Sequence, residues 1–262
     1  MGQKTLIGGT AYEIKAGKCL IGGTAYAIQK GRTLINGTGY DIAIASLYDP
    51  VFANNEWADI IAACHAGEVP DTWAVGDYKD MTINGVSYRV DIIGKNHDTY
   101  LDGTPAPLTF QLHDCYATRY SMYAPTSNRK GWIDCNMRNT YLPTILALMP
   151  DEVQAGIRAV NKATSNGGQS SAITAATDKL FLLSEIEIFG SNGYSILGEG
   201  SQYEYYAAGN SKIKKLSGSA YEWWTRSPYK SDIDSYCSVA SGGYHYYRGS
   251  SYGEGVSFAF CF

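Results

Sequence analysis

The chain has 262 residues, 45% hydrophobic and only 18% charged, with a formal net charge of −4, a balance that sets nucleic acid aside as the main partner. Its 29 glycines and 22 tyrosines suit strands and loops better than a helical bundle. No apolar run approaches the ~20 residues of a membrane span, and MGQKTLIGG has no long apolar leader segment, so neither a membrane partner nor a secretory signal is expected.

Residues 6–46 form an internal repeat with a period of 14: LIGGTAYEIKAGKC, then LIGGTAYAIQKGRT, then LINGTGYDIAIAS. Gly-Gly and Asn-Gly accept the positive φ of tight hairpins, so the spacing predicts a β-meander or β-spiral. Such a segment is too small to bury a core of its own. Residues 1–46 therefore read as an attachment or assembly element, meeting other proteins or packing as a homotrimer; the plain alternative is a simple N-terminal extension. Residues 47–262 show no linker and read as one domain.

Asn54–Gly67 reads as a helix, capped by Asn54 or Asn55, with Trp57, Ile60, Ile61 and Cys64 inward and Gly67 as its stop. Met81–Gly94 reads as a hairpin turning at Asn84-Gly85. Thr109–Leu112 is a short strand. Asp134–Met149 reads as a second helix, capped by Asp134 and disturbed by Pro143. Gln154–Thr164 fits either state, and Asn166–Gln169 reads as a flexible loop. Lys179–Leu183 is a buried strand. Ser184 and Glu187 have capping-box spacing for a short helix ending at Gly190. Tyr203–Ala208 is a further helix or loop.

The last 40 residues organise the rest. Trp223, Trp224 and Val239 look like core, and Val256, Phe258, Phe260 and Phe262 alternate with Ser257, Ala259 and Cys261 as in a half-buried strand. Between them lies a Tyr, Ser, Asp, His, Arg and Gly surface, the mixture of natural binding loops, in which Tyr gives stiff contact area and Ser and Gly adaptable fit. The candidate ligand contacts are Tyr229, Ser231, Asp232, Asp234, Ser235, Tyr236, Ser241, Tyr244, His245, Tyr246, Tyr247, Arg248, Ser250, Ser251 and Tyr252, with Trp223, Trp224, Arg226 and the final strand as scaffold.

Other polar groups weigh against bland readings. His97, Asp98 and Asp102 could ligate a metal, but three polar residues in a loop are usually only that. His113, Asp114 and Cys115 could suggest a nucleophile, but neighbours on a strand point to opposite faces. Glu185 and Glu187 could act as acid and base, but capping already explains Glu187. Arg226 after two tryptophans reads as half of a buried ion pair. The six cysteines, Cys19, Cys64, Cys115, Cys135, Cys237 and Cys261, are widely spaced and read as buried free thiols, with a Cys237–Cys261 disulfide as the alternative. No G-x-S-x-G, P-loop or H-E-x-x-H occurs, so no enzyme, metal or cofactor is expected.

Several stretches carry a resemblance. They are Trp73-Ala74-Val75-Gly76-Asp77-Tyr78, Ile83-Asn84-Gly85, Ile92-Ile93-Gly94, Asn96-His97-Asp98, Arg138, Leu180-Phe181-Leu182-Leu183-Ser184-Glu185, Trp223-Trp224-Thr225-Arg226-Ser227-Pro228 and Gly255-Val256 with Ala259-Phe260. Together they resemble a domain of gut Firmicutes and their phages that is similar to C-type-lectin-fold proteins of the formylglycine-generating-enzyme-like type, over roughly residues 55–262. The resemblance implies an α+β fold: a C-type-lectin-like domain with two main helices and a twisted antiparallel sheet, preceded by short β-hairpin repeats. The G-T-A-Y repeats resemble those heading phage tail proteins.

C-type-lectin-fold proteins are also the usual variable proteins of diversity-generating retroelements, in which template adenines are mutated during reverse transcription. Codons AAC and AAT mutated at adenine encode Asn, Asp, Ser, Gly, His, Tyr, Arg and Cys, nearly the whole alphabet of 229–252, whereas the flanks use Trp, Val, Phe and Pro. The function this implies is a phage tail-tip receptor-binding adhesin, made in the bacterial cytoplasm and carried on the virion, that binds a bacterial surface protein or glycan. A surface-displayed bacterial adhesin and a formylglycine-generating-type oxidase are the alternatives. The chain departs from both named activities: Cys237 and Cys261 lie 24 positions apart rather than as a close reactive pair, and the E-P-N or Q-P-D and W-N-D motifs of calcium-dependent lectins are missing.

Overall fold

The computed structural model describes residues 48–262 throughout and, ahead of them, the backbone of six strands between residues 4 and 42. The chain divides into two compact units, Met1–Val51 and Phe52–Phe262. In the first, Lys4–Ile7 pairs with Thr10–Glu13, Lys18–Ile21 with Thr24–Ala27, and Gly31–Ile35 with Thr38–Ile42. The innermost pairs are Ile7 with Thr10, Ile21 with Thr24 and Ile35 with Thr38, so the sequence repeat is a repeat of register. Among the described residues these are three separate two-stranded sheets, not the expected meander or spiral. Each unit closes its ladder within itself.

The second unit is built mainly of strands. A five-stranded sheet runs in the order Leu180–Phe181, Ala259–Cys261, Leu108–Leu112, Val86–Lys95, Tyr78–Ile83, and every pairing in it is antiparallel. The hairpin at its edge turns through Asn84 (φ 48°) and Gly85 (φ 76°), the left-handed pair a tight turn requires. Leu108–Leu112 is buried along its whole length. Phe110 on it is the hub of the core, with Phe260 at 5.4 Å, Phe262 at 5.2 Å, Trp57 at 6.0 Å and Phe52 at 6.1 Å between ring centroids. The C-terminal residues, expected to be half-buried, are buried on both faces from Glu254 to Phe262. Their alternation of Phe with Ser, Ala and Cys sorts large from small side chains, not core from solvent.

The expected two main helices and single twisted sheet are overturned. The described residues hold several small sheets and five short α-helices: Trp57–Ala66, Leu142–Leu146, Asp151–Gly156, Glu185–Phe189 and Glu204–Ala207. Of these, Trp57–Ala66 with ten residues is the longest, and Gly67 closes it in the left-handed region (φ 68°); its N-cap is Glu56, with no side-chain cap, while Asn55 Nδ2 donates to Phe52 O in the turn before it. The expected helix over 134–149 breaks up. Pro143 lacks an N–H and its ring crowds the carbonyl four residues back, so Met137–Tyr141 widens into a π turn in which Leu142 N–H donates to Met137 O. The spacing of five between buried Met137 and Leu142 fits that wider turn. The resemblance to a lectin-like domain with two long helices therefore does not describe this architecture.

A three-stranded antiparallel sheet carries the C-terminal stretch, in the order Trp223–Pro228, Ser235–Val239, His245–Gly249. Trp224 N donates to Gly255 O at 3.0 Å, tying this sheet to the segment that leads into the core strand. A side chain at Gly255 would meet Cys115 Sγ at 2.5 Å and Glu222 O at 2.9 Å, so only glycine permits that approach.

Candidate ligand-binding face

Trp223, Trp224 and Arg226 are fully buried. Trp224 Nε1 donates to Tyr120 O at 2.8 Å and Trp223 Nε1 to Lys212 O at 3.0 Å, so neither ring leaves its N–H unpaired. Arg226 grips Glu187 through two hydrogen bonds, at 2.5 and 2.9 Å, and also donates to the carbonyls of Leu182, Ala163 and Glu199. Lys162 joins Glu187 (2.8 Å) to Asp98 (2.6 Å). Burial raises the Asp98 carboxyl, but Lys162 and the hydrogen bonds from Lys162, Thr109 and Tyr203 overcome it and hold the group at about 2. Buried Glu199 is pushed above its ordinary value by desolvation, against the pull of Arg226.

Glu187 also completes the capping box: its backbone N–H donates to Ser184 Oγ and its carboxylate accepts from Ser184 N. The capping reading of the Ser184–Glu187 spacing thus describes half of what this carboxylate does. Glu185 is fully buried and accepts from Tyr194 N, Ser195 N, and Ser195 Oγ, and lies 2.8 Å from His245 Nδ1.

The loop Tyr229–Asp234 is held from behind by Asn128, which is buried. Its Nδ2 donates to Tyr229 O, Asp232 O and Ser235 O, and its Oδ1 accepts from Gly168 N at 3.0 Å. The 166–169 loop, expected to be flexible, is thereby bonded to the binding segment. Asp232 organises the turn itself, accepting from the backbone N–H groups of Asp234 and Ser235 and from Ser235 Oγ.

The fifteen candidate contacts separate. Tyr244 (61% exposed), Tyr252 (60%) and Tyr247 (38%) project into solvent, with Ser231, Asp234, Ser241 and Ser251 also exposed. Tyr229, Asp232, His245, Tyr246 and Arg248 are half-buried. Ser235, Tyr236 and Ser250 are buried and are corrected to frame. Tyr236 hydroxyl donates to Gly131 O at 2.7 Å, and Ser250 Oγ accepts from Ser127 N at 2.7 Å. Tyr236 lies in the middle strand, where both faces are covered, a fact its residue type conceals.

Two clusters form around the edge strand His245–Gly249. In one, Tyr247 stacks on Tyr229 (4.3 Å), Tyr194 meets both rings edge-on, and His245 stacks on Phe189 at 3.7 Å. In the other, the Arg248 guanidinium carbon lies 5.3 Å from the Tyr246 ring and 5.7 Å from that of Tyr252, Nη2 donates to Glu222 at 2.7 Å, and Nε is 3.5 Å from Glu254. Tyr194, Glu222, Glu254, Arg119 and Tyr221 belong to this region but not to the sequence-predicted set. The run Ala117-Thr118-Arg119-Tyr120-Ser121 shares the Tyr, Ser and Arg mixture and was the legible signal; nothing marks Tyr194.

The remaining sequence candidates disperse. Asp98 is in the buried ionic chain, His97 stacks on Tyr203 at 3.9 Å, and Asp102 is on the surface with Arg158 at 3.1 Å, so the three do not converge on a metal position. Among the described residues no group of three or more His, Cys, Asp or Glu is placed to hold a metal ion. His113 Nδ1 lies 2.6 Å from Asp91, not from Cys115, whose thiol burial pushes up to about 12. Cys64, Cys115, Cys135, Cys237 and Cys261 are free and buried, so the alternative Cys237–Cys261 disulfide is not formed.

A family model described as a domain of unknown function, DUF6273, matches residues 109–262, more than half of the chain. The chain belongs to the DUF6273 family. The DUF6273 match begins on the central core strand and takes in the ionic chain from Lys162 to Arg226, the three-stranded sheet and every candidate contact from Tyr229 to Tyr252. No curated protein and no solved structure matches the chain.

Proposed function

We propose that this protein is a ligand-binding protein rather than an enzyme, meeting a bacterial surface molecule through the face around His245–Gly249. The supporting observation is the contrast between frame and face. Strands Trp223–Pro228 and Ser235–Val239 are buried throughout, and on that support Tyr244, Tyr247 and Tyr252 stand exposed. Exposed aromatic rings on a stiff support are the usual anchors of a binding interface. The alphabet of 229–252 favours diversification by a retroelement, and the repeats at 6–46 favour attachment to other tail proteins, as a homotrimer, on a phage virion. The test is binding to host cells by the intact protein and by a variant with Tyr244, Tyr247 and Tyr252 changed to Ser. Loss of binding at an unchanged melting temperature is expected; undiminished binding overturns the proposal. A nearby copy of the gene's 3′ end differing only at adenines, beside a reverse transcriptase gene, tests the retroelement reading.

A further inference from the structure

Beside the edge strand lies a groove of about 650 Å³, within the range of small-molecule sites. Tyr252 is the only one of the fifteen candidate contacts that lines it. The other walls are Tyr221 and the turn at Leu216 and Ser217, and Arg119 and Glu254 also line it. Glu254 is 7% exposed, yet among the described residues none donates a hydrogen bond to its carboxyl oxygens. Its nearest cation is Arg248 Nε at 3.5 Å, and that nitrogen itself lacks a hydrogen-bond partner. Its side chain is 10% exposed, and its carboxyl opens onto the groove with no donor among the described residues.

The missing partner has a definable chemistry. Glu254 lacks a donor. Arg119 gives Nη1 to the Tyr221 hydroxyl at 2.7 Å and is otherwise exposed, so its remaining N–H groups are open to a ligand acceptor. A hydroxyl supplies both at once. With Glu254 ionised, Arg119 and Arg248 balance Glu222 and Glu254, so above neutral pH a charged ligand gains no net attraction here. The rings of Tyr221 and Tyr252 offer apolar surface for carbon-bound hydrogens. Resting on the ligand-binding reading above, we propose that this groove binds a neutral, hydroxyl-rich ligand, a glycan, with its hydroxyls on Glu254 and Arg119 and its ring against Tyr252.

The site has a built-in pH response. Burial, then the neighbouring Glu222 carboxylate, push Glu254 up to about 7, while Arg248 and Arg119 pull it down; the Tyr221 and Tyr252 phenols line the same groove. A ligand hydroxyl donates more strongly to the ionised carboxyl. Affinity therefore rises with pH through that value, by up to about tenfold between pH 6 and pH 8.

The experiment measures binding of the full chain to neutral hexose and N-acetylhexosamine oligosaccharides, with polygalacturonate and chitosan as charged comparators, at pH 6 and pH 8. We expect a neutral oligosaccharide to bind more tightly at pH 8, Tyr252→Ala to weaken it at least tenfold, and Glu254→Gln to flatten the pH response. No binding of any neutral sugar, preference for a charged polymer, or an unaltered pH response in Glu254→Gln overturns the proposal; should Glu254→Gln fail to fold, Tyr252→Ala decides, since its ring is exposed. Whole-cell binding that depends on Tyr244 and Tyr247 with no sugar bound removes the glycan groove and leaves the receptor-binding reading standing. Sugar binding that Tyr252→Ala abolishes, with cell binding unmoved, does the reverse.

Discussion

Arg226 and Glu187 meet face to face in the interior, joined by two hydrogen bonds at 2.5 and 2.9 Å, with side chains 0% and 2% exposed. Because Glu187 also caps the Glu185–Phe189 helix and touches Lys162, this one contact joins the binding sheet to the strand Val160–Ser165 and to that helix. Removing the arginine leaves a buried carboxylate with half its partners.

Arg226→Ala should therefore destabilise the protein by about 3–5 kcal/mol, the usual cost of breaking a buried pair on one side. Arg226→Lys should recover only part, since a lysine cannot reproduce the two-pronged contact or reach all three carbonyls. Urea denaturation reads both; an Arg226→Ala midpoint equal to wild type would show that the ionic chain carries no stability.

Trp224→Ala should cost about 3–5 kcal/mol, the range for a large aromatic cut out of a packed site. The ring is fully buried and its removal also takes one of two donors from the Tyr120 carbonyl, leaving it Glu254 N. A thermal melt matching wild type would contradict the placement of this residue in the frame.

Tyr244, Tyr247 and Tyr252 changed singly to Ser should each move stability by no more than about 0.5 kcal/mol. Tyr236→Ser, only eight positions before Tyr244, should cost several times more, because that ring is 0% exposed and its hydroxyl bonds Gly131. Differential scanning calorimetry on the four variants separates face from frame; a similar loss in all four would erase the distinction.

Acid should unfold the protein through Asp98. Its carboxyl is held at about 2, below the ordinary 3.8, so its contribution is fully present above pH 3.8 and is lost as pH falls through about 2. Asp98→Asn should be less stable at pH 7 and should show a flatter decline between pH 4 and pH 2. A stability profile for Asp98→Asn parallel to wild type in that window would rule this out.

Local signals alone determined much of this protein. The 14-residue repeat announced its hairpins, Asn84-Gly85 its turn, Ser184 with Glu187 its capping box, and Trp223 and Trp224 a buried frame, because each depends on residues within a few positions of one another. Helix length and the division of the Tyr-rich stretch depended on contacts across the chain. Pro143 could be seen to disturb a helix, but only packing of Met137 and Leu142 decided that a wide turn would replace it. Composition made Tyr236 and Tyr244 equivalent; strand order made one core and the other surface, because a middle strand is covered on both sides and the end of an edge strand is not. Glu254 and Arg119 lie 135 positions apart, and no spacing rule joins them. Only the folded chain brings them to the same groove, since burial and unmet hydrogen bonds are properties of a place in space rather than of a position in sequence.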